Sequence, residues 1–241
     1  MLVVNMPKIK SEEQFGNIFV GSPSLHGLCL SDSIYVAKEL KTSLGVPDYV
    51  LLAEKDYDVL TQFAKNYSHI RLSGKYAAVI SCVAKNSRVD VQRLAELMNQ
   101  RQSAIVKALE ELESWGIVTL DEGKSFVSFN TDFDIPALQS VAIELKLSSW
   151  QKALWQATRN SNQFATSYVV MPSEKLDLLN SKIDLFISNN ISTAVFDVDS
   201  LSLTPIHTSQ SEELATNRHY LEGLGCLIQN LSAFHRVSFG S

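Results

Sequence analysis

The spacing of apolar and polar residues in the first part of the chain predicts loops, two helices and a strand. Residues 1–30 contain scattered glycines and predict short strands or loops. Apolar residues recur at helical spacing over 31–45, between a Ser-Asp cap and a glycine, and predict a helix. The apolar run 46–53 predicts a buried strand, and residues 56–67 again have the helical pattern. This order mixes helices with at least one buried strand.

Residues 72–130 have a different pattern, in which three helices precede a hairpin. The second helix begins after the cap Asp90, a tight turn at 99–100 precedes the third helix, and Gly116 ends it. Two short apolar strands then flank the polar turn 121–124. The segment therefore predicts a small helical module that ends in a β-hairpin.

The pattern after Pro136 alternates strands and helices. The predicted elements are a strand over 141–147, a helix over 150–160, a strand over 168–171, a helix over 174–189, a strand over 192–198 and a final helix over 217–231. Such alternation is typical of an α/β layer fold, in which helices cover a sheet. The fold class predicted for the chain is therefore α/β with an additional helical module.

The composition is that of an ordinary globular protein and narrows the possible functions. The chain has 241 residues, 45% hydrophobic residues and a net charge of −5, which argues against a protein whose whole surface binds nucleic acid but leaves room for a local basic face. Three scattered cysteines give no support for a zinc site or a disulfide framework. The start is too short for a signal peptide and no apolar run approaches the roughly 20 residues of a membrane span, so we expect a soluble cytoplasmic protein without membrane contact.

The segment 72–130 resembles the winged helix-turn-helix family in its order of helix, helix, turn, helix and hairpin. The resemblance implies that the third helix enters the major groove of double-stranded DNA while the hairpin contacts phosphates. Asn, Gln and Arg at the start of this helix can pair bidentately with adenine or guanine. The alternative is a module that packs only against a protein partner. The candidate DNA-binding residues are Arg93, Asn99, Gln100, Arg101, Gln102, Ser103, Lys107 and Lys124.

Charge is unevenly distributed along this module and favours the DNA-binding interpretation. Residues 71–107 contain seven basic and two acidic residues, a net charge of +5. Glu110, Glu111 and Glu113 then make the end of the third helix acidic. This distribution suits a helix whose N-terminal end faces the phosphate backbone while its C-terminal end points away.

A second candidate site combines Asp48, in the apolar run 46–53, with Glu144 and Lys146 in the predicted strand 141–147. Residues two apart in a strand project to the same face, so Glu144 and Lys146 share one. A metal-dependent phosphodiesterase needs acidic oxygens to hold Mg²⁺, which polarises the phosphate and lowers the pKa of the attacking water. A nearby ammonium positions that water or stabilises developing negative charge.

These residues, together with Gln156 in the following predicted helix, resemble the PD-(D/E)xK nuclease superfamily. The motifs that carry the resemblance are Pro47-Asp48, then Glu144-x-Lys146, then the glutamine helix. The resemblance implies a three-layer α/β core with a mixed sheet, in which Asp48 and Glu144 bind Mg²⁺ or Mn²⁺ and Lys146 is catalytic. It also implies that Gln156 belongs to the catalytic site.

The chain departs from the pattern of this superfamily in two places. Asp48 and Glu144 are 96 residues apart, a longer separation than is usual, and insertion of the helical module at a surface loop accounts for it. The glutamine helix commonly continues to a tyrosine four residues later, where this chain has Asn160. Glu39, on the first predicted helix, is the candidate for an additional acidic residue.

The sequence therefore predicts a nuclease-like α/β domain over 1–68 and 133–241, with a winged helix-turn-helix over 69–132. The predicted function is metal-dependent hydrolysis of DNA phosphodiester bonds by a DNA-binding endonuclease. One alternative is a transcriptional regulator or assembly module whose nuclease-like domain does not cut. Another is a purely protein-binding component of a larger complex. Whether the chain forms a homodimer or binds another protein is left open.

Overall fold

A computed structural model describes residues 9–29, 31, 33–72, 74–209 and 217–238. The sequence predictions for residues 1–8 and 30, and for the cap Asp32, lie outside these ranges. Two compact units are formed: the described parts of Met1–Asp58, Leu138–Glu212 and Asn230–Ser241, and those of Val59–Ala137 and Glu213–Gln229. The second unit includes residues 59–68, 133–137 and 217–229, which the predicted boundaries assign to the nuclease-like domain.

The strands and helices are numbered in chain order. The strands are β1 (Ser33–Lys38), β2 (Tyr49–Ala53), β3 (Val89–Asp90), β4 (Val118–Leu120), β5 (Phe126–Phe129), β6 (Val141–Leu145), β7 (Thr166–Pro172), β8 (Ser192–Asp197), β9 (Ser202–His207) and β10 (His235–Ser238). The α-helices are α1 (Glu12–Val20), α2 (His26–Cys29), α3 (Glu54–Asn66), α4 (Gly74–Ala84), α5 (Val91–Leu97), α6 (Gln102–Ser114), α7 (Trp150–Asn160), α8 (Leu176–Asn180), α9 (Ile183–Ser188) and α10 (Arg218–Gln229). Within the described ranges, no helix has both the length and the apolar character needed to cross a membrane.

The first unit is built on a seven-stranded mixed sheet with the strand order β10-β1-β2-β6-β7-β8-β9. Strands β1, β2 and β6 are antiparallel neighbours, and β7 and β8 continue the sheet in parallel with β6. The edge strands β9 and β10 are antiparallel to β8 and β1. Parallel neighbours need crossover connections, which α7 provides between β6 and β7, and α8 and α9 provide between β7 and β8. This mixed architecture confirms the predicted α/β class.

Helices pack against both faces of this sheet. Val170 of β7 lies in an apolar cluster with Phe15 and Phe19 of α1. Its neighbour Val169 points to the opposite face and lies in a second cluster with Ala157 of α7. Because both faces are covered, the central strands are mostly apolar rather than alternating, with Glu144 of β6 as an exception.

The helix predicted over 31–45 is wrong, because strand β1 lies there. Ile34 and Val36 are fully buried, and β1 pairs on one edge with β2, where Ile34 is opposite Ala53, and on the other edge with β10. β-branched side chains suit such a position, and pairing along two edges outweighs a local helical spacing. Glu39 therefore follows a strand rather than lying on a helix, and its φ of 51° is in the left-handed region.

The prediction of loops or short strands over 1–30 is also wrong where α1 forms. Ser11 caps this helix, since its hydroxyl accepts a hydrogen bond from the backbone N–H of Gln14 at 3.1 Å. Gly16 lies within the helix because it packs against Tyr49: a Cβ at this position would be 2.6 Å from the Tyr49 hydroxyl oxygen. A glycine that suggests a loop in the sequence is thus a close-packing residue in the structure.

The other predicted elements of the first unit are confirmed except one. Strands β2, β6, β7 and β8 and helix α7 lie where the apolar pattern predicts them, with shifted ends. The single helix predicted over 174–189 is wrong, because a short 3-10 turn, α8 and α9 take its place. The break falls at Ser181, whose hydroxyl donates to the carbonyl of Leu178 at 2.8 Å. Serine that bonds to the local backbone competes with helix continuation.

The second unit contains α4, α5, α6, α10 and a three-stranded sheet in the order β3-β5-β4. The three helices and the hairpin predicted here are confirmed as elements. Asp90 caps α5 by accepting from the backbone N–H of Arg93 at 2.8 Å, and Gly116 follows α6 with a φ of 74°. In α10, Gly225 allows the helix to pack closely against the backbone at Leu72, since a Cβ at this position would clash with the Leu72 carbonyl oxygen.

Candidate functional site

The antiparallel pairing of β2 and β6 brings Asp48 to Glu144 and Lys146. Asp48 directly precedes β2, Glu144 lies in β6, and Lys146 directly follows β6. Tyr49 of β2 is opposite Ile143 of β6, so the start of one strand meets the end of the other. Residues that are far apart in the sequence therefore lie at one end of the sheet.

The ammonium of Lys146 is the centre of this group of side chains. Its Nζ lies 3.3 Å from Asp48 Oδ2 and 3.7 Å from Glu144 Oε2. It also donates to the carbonyl oxygen of Leu145 at 2.8 Å. Asp48 Oδ2 in turn accepts from the backbone N–H of Leu145 at 2.7 Å. The predicted proximity of these three charged residues is present, and backbone hydrogen bonds orient two of them.

Burial raises the free-energy cost of keeping these side chains charged and so shifts their pKa values. Glu144 is 1% exposed and Lys146 is 3% exposed. Burial, together with the Asp48 charge, raises the pKa of Glu144 to about 8, although Lys146 and a hydrogen bond from Asn160 oppose the shift. Burial alone would lower the pKa of Lys146, but the surrounding carboxylates, Asp48 first, outweigh it and raise that pKa. Lys146 is therefore an ammonium at neutral pH.

A third carboxylate, which the sequence analysis missed, also contacts Lys146. Glu12 Oε2 lies 3.5 Å from Lys146 Nζ, and Glu12 is the first residue of α1. The signal that could have revealed the helix is the spacing Ser11-x-x-Gln14, which is typical of a helix start. Even with that helix, only the fold brings its first turn to the end of β6.

The carboxylates Glu12, Glu13, Glu39 and Asp48 line an open recess of about 320 Å³ beside Lys146. Glu39 is thus near Asp48 although its predicted helix does not exist, because its backbone N–H donates to the carbonyl of Asp48 at 3.0 Å. Burial raises the pKa of Tyr49 in the same recess, and the charges of Asp48, Glu39 and Glu13 add to the shift. Lys38 also lines the recess, but four carboxylates outnumber it, so the recess is acidic and suits a cation more than an anion.

Helix α7 provides two amide side chains on the other side of Glu144. Asn160 is 1% exposed and donates from Nδ2 to Glu144 Oε1 at 2.8 Å. Gln156, predicted to belong to the site, lines a small cavity of about 50 Å³ that Glu144 and Asn160 also line. Asn160, a departure from the superfamily pattern in sequence, is therefore a direct partner of the predicted metal ligand.

The residues present suit a hard divalent cation. Asp48 and Glu144 supply carboxylate oxygens, the donors that Mg²⁺ and Mn²⁺ prefer. Glu144 Oε2 is buried and has no hydrogen-bond partner in the described part of the chain, so it has capacity for a further positive charge. Among the described residues, this site included, no group of three or more His, Cys, Asp or Glu side chains is arranged to hold a metal ion, so a cation here would depend on the two carboxylates of Asp48 and Glu144.

All eight predicted DNA-binding residues lie in the second unit and are exposed. Arg93 is on α5, Lys107 is on α6, and Lys124 is in the turn between β4 and β5. Lys124 is engaged already, since its Nζ lies 2.5 Å from Glu110 Oε1. The remaining five occupy the turn before α6 and its first residues: Asn99, Gln100, Arg101, Gln102 and Ser103.

Comparisons of this chain with protein-family models, with curated proteins and with solved structures gave no match.

Proposed function

We propose that this protein is a metal-dependent nuclease that hydrolyses phosphodiester bonds in DNA. The observation that carries the proposal is the convergence of Asp48, Glu144 and Lys146 at one end of the sheet. A pair of carboxylates beside a buried ammonium supplies oxygen donors for a cation and a fixed positive charge, both of which metal-assisted phosphodiester hydrolysis can use. Asp48 lines the open acidic recess, which gives a cation access to that carboxylate.

Each residue has a role that follows from its contacts. Asp48 and Glu144 would hold Mg²⁺, which polarises the phosphate and lowers the pKa of the attacking water when bound. Lys146 remains protonated beside its carboxylates. Its ammonium donates hydrogen bonds to the phosphate oxygens, on which negative charge develops during the reaction. The Leu145 N–H and the Asn160 amide hold Asp48 and Glu144 in fixed orientations. Because these two carboxylates are already oriented, they lose little conformational freedom during the reaction.

We further propose that the second unit acts as a winged helix-turn-helix that binds duplex DNA. The support is its order of helices, turn and hairpin, with exposed Arg, Gln and Asn residues where α6 begins. Arg101 precedes α6 directly and, among the described residues, its side chain makes no capping hydrogen bond to the helix. Such side chains can contact base edges or phosphates.

A cleavage assay on linear, supercoiled and single-stranded DNA with Mg²⁺, Mn²⁺ or EDTA tests the nuclease proposal. We expect metal-dependent cutting that falls by about a hundredfold or more in Lys146→Ala, because a preorganised charge donor is lost. Lys152→Ala is the matched control, since Lys152 is an exposed lysine on α7. Cutting that survives unchanged in Lys146→Ala, or no cutting with any metal by a protein that binds DNA, would overturn the proposal.

A DNA-binding protein without catalysis is the second candidate. It is favoured by the fact that Glu12, Asp48 and Glu144 all pair with Lys146, as in a structural ion-pair cluster. Such clusters persist in proteins because removing one partner leaves a buried charge uncompensated. The same assay separates the two functions, because this candidate predicts DNA binding that is independent of metal and no cutting.

A further inference from the structure

Helix α7 carries a tryptophan that is largely exposed next to the candidate active site. Trp155 is 60% exposed, and the guanidinium carbon of Arg159, one turn further along, lies 4.7 Å from the centre of its ring. An arginine over one face of an indole stabilises the orientation of both side chains. The exposed part of Trp155 is therefore a flat aromatic surface held in place by its neighbour.

The cavity of about 50 Å³ that Trp155 and Arg159 line reaches Glu144. Two amide oxygens in its wall, Gln156 Oε1 and Asn160 Oδ1, are buried and lack a hydrogen-bond partner within the described residues. Buried acceptors without partners are costly, and each is satisfied only by an N–H or O–H donor. The cavity wall thus combines the aromatic ring of Trp155, the cation of Arg159 and two hydrogen-bond acceptors that face a small space.

The size of the cavity limits what enters it. About 50 Å³ accommodates about three or four water-sized groups, which is less than an aromatic base needs. A base stacked on Trp155 can nevertheless direct an exocyclic amino group into the cavity, where Gln156 and Asn160 offer acceptors. Arg159 provides the positive charge that a phosphate on the same strand would contact.

We propose that Trp155 and Arg159 form a stacking subsite for an unpaired nucleobase that carries an exocyclic amino group. The proposal rests on the nuclease function, because the subsite adjoins Glu144 and its occupant is a nucleotide of the substrate strand. Bases in a duplex are stacked and paired, so only a single-stranded, frayed or displaced nucleotide can reach Trp155. The subsite therefore makes this end of the sheet selective for strands with unpaired purines or cytosines.

The surroundings of Trp155 favour a nucleobase over a protein partner. Its exposed neighbours on the same helix, Gln151 and Lys152, are polar, and Val46, which lines the same cavity, adds only a small exposed apolar side chain. Protein interfaces are marked by contiguous apolar patches, whereas a single aromatic ring beside a cation is typical of surfaces that bind single strands. The experiment must therefore distinguish nucleobase binding from binding of a partner protein.

Binding of fluorescein-labelled single strands (dA)₆ and (dT)₆ in EDTA, measured by fluorescence anisotropy of the label, tests the subsite without cleavage. We expect wild type to bind (dA)₆ more tightly than (dT)₆, because thymine lacks an amino group. Trp155→Ala should bind (dA)₆ roughly ten- to a hundredfold more weakly, and Trp155→Phe should stay close to wild type, because Phe retains a stacking face. Thermal unfolding should be nearly unchanged in both variants, since Trp155 is largely exposed.

Two further variants serve as controls. Arg159→Gln should weaken (dA)₆ binding, whereas Lys152→Gln removes the same charge from the same helix without touching the cavity and should not. Arg101→Ala, in the second unit, should leave the Trp155-dependent part of (dA)₆ binding unchanged. Wild-type binding in Trp155→Ala, equal binding of (dA)₆ and (dT)₆, or a change of oligomeric state in Trp155→Ala would each overturn the subsite. Trp155-dependent binding without cleavage in any metal would instead overturn the nuclease function alone.

Discussion

Individual side chains around Glu144 show how a buried carboxylate is kept in a defined orientation. Asn160 donates to one of its oxygens at 2.8 Å, and Lys146 lies 3.7 Å from the other. In the sequence, Asn160 is merely a residue that departs from a pattern. In the structure it is the neutral partner that lets Glu144 remain buried beside a second carboxylate, Asp48.

We therefore expect Asn160→Leu to destabilise the protein. The substitution removes the donor to Glu144 Oε1 and leaves a buried acceptor without a partner, which costs about 1–3 kcal/mol. Urea unfolding of the variant measures this loss. Asn162→Leu is the matched control, because Asn162 is exposed and donates to the carbonyl of Thr158 at 3.2 Å. Equal stability of Asn160→Leu and wild type would show that the hydrogen bond does not hold Glu144.

At the scale of elements, two segments near the N-terminus show where local patterns mislead. The apolar positions of β1 fit a helical spacing, yet the segment pairs with β2 and β10 along both edges. Helix α1 contains Gly16, which suggests a loop, yet the helix packs its phenylalanines against the sheet. In both cases long-range packing outweighs local propensity. The correction of α1 matters most, because its first residue, Glu12, belongs to the candidate site.

Gly16→Ala tests the packing of α1 against the sheet. Alanine is the better helix residue by up to about 1 kcal/mol, but its Cβ would lie 2.6 Å from the hydroxyl oxygen of buried Tyr49. We expect a net loss of about 1–3 kcal/mol in urea unfolding, as for other overpacked sites. In Tyr49→Phe, which removes that oxygen, Gly16→Ala should cost measurably less. A stabilised Gly16→Ala single variant would contradict the close contact.

For the whole molecule, the distribution of charge matters more than its total. The net charge is −5, whereas residues 71–107 alone carry +5. Acidic residues concentrate instead around the recess of the first unit. The proposed function accordingly assigns nucleic acid to the basic region and cations to the acidic recess. We expect moderate, salt-sensitive DNA binding rather than an extensive basic interface.

The proposed duplex binding predicts different effects for two basic residues of the second unit. Arg101→Ala should weaken duplex binding and reduce the slope of log K against log[salt] by about one, because one phosphate contact is lost. Lys124→Ala should change both less, since the Lys124 ammonium already pairs with Glu110 at 2.5 Å. Fluorescence anisotropy with a labelled duplex at several salt concentrations measures both. Equal losses, or no loss in Arg101→Ala, would argue against a contact at the start of α6.

Much of the second unit and of the site chemistry could be predicted from sequence. Asp90 and Gly116 mark helix ends by local hydrogen bonding and backbone conformation, so their neighbours in the chain are sufficient to identify them. The two-residue spacing of Glu144 and Lys146 predicts that both project to one side of the chain, although β6 ends at Leu145. That Asp48 lies near Glu144 and Lys146 is implied only by the resemblance to the nuclease superfamily. Nothing in the sequence analysis predicts that Glu12 contributes to the candidate site.

Properties that depend on near neighbours follow from the local sequence: the helices α4 to α7, the Asp90 cap of α5, the end of α6 at Gly116, the buried central strands and the types of charged residue available. Tertiary structure alone decided that 33–38 is a strand, that α10 belongs to the second unit, and that Glu12, Asp48 and Glu144 meet at Lys146. The physical reason is that helix spacing and caps act within a few residues. Strand pairing and ion pairing instead join residues far apart in the chain, and their free energy appears only when the fold has formed.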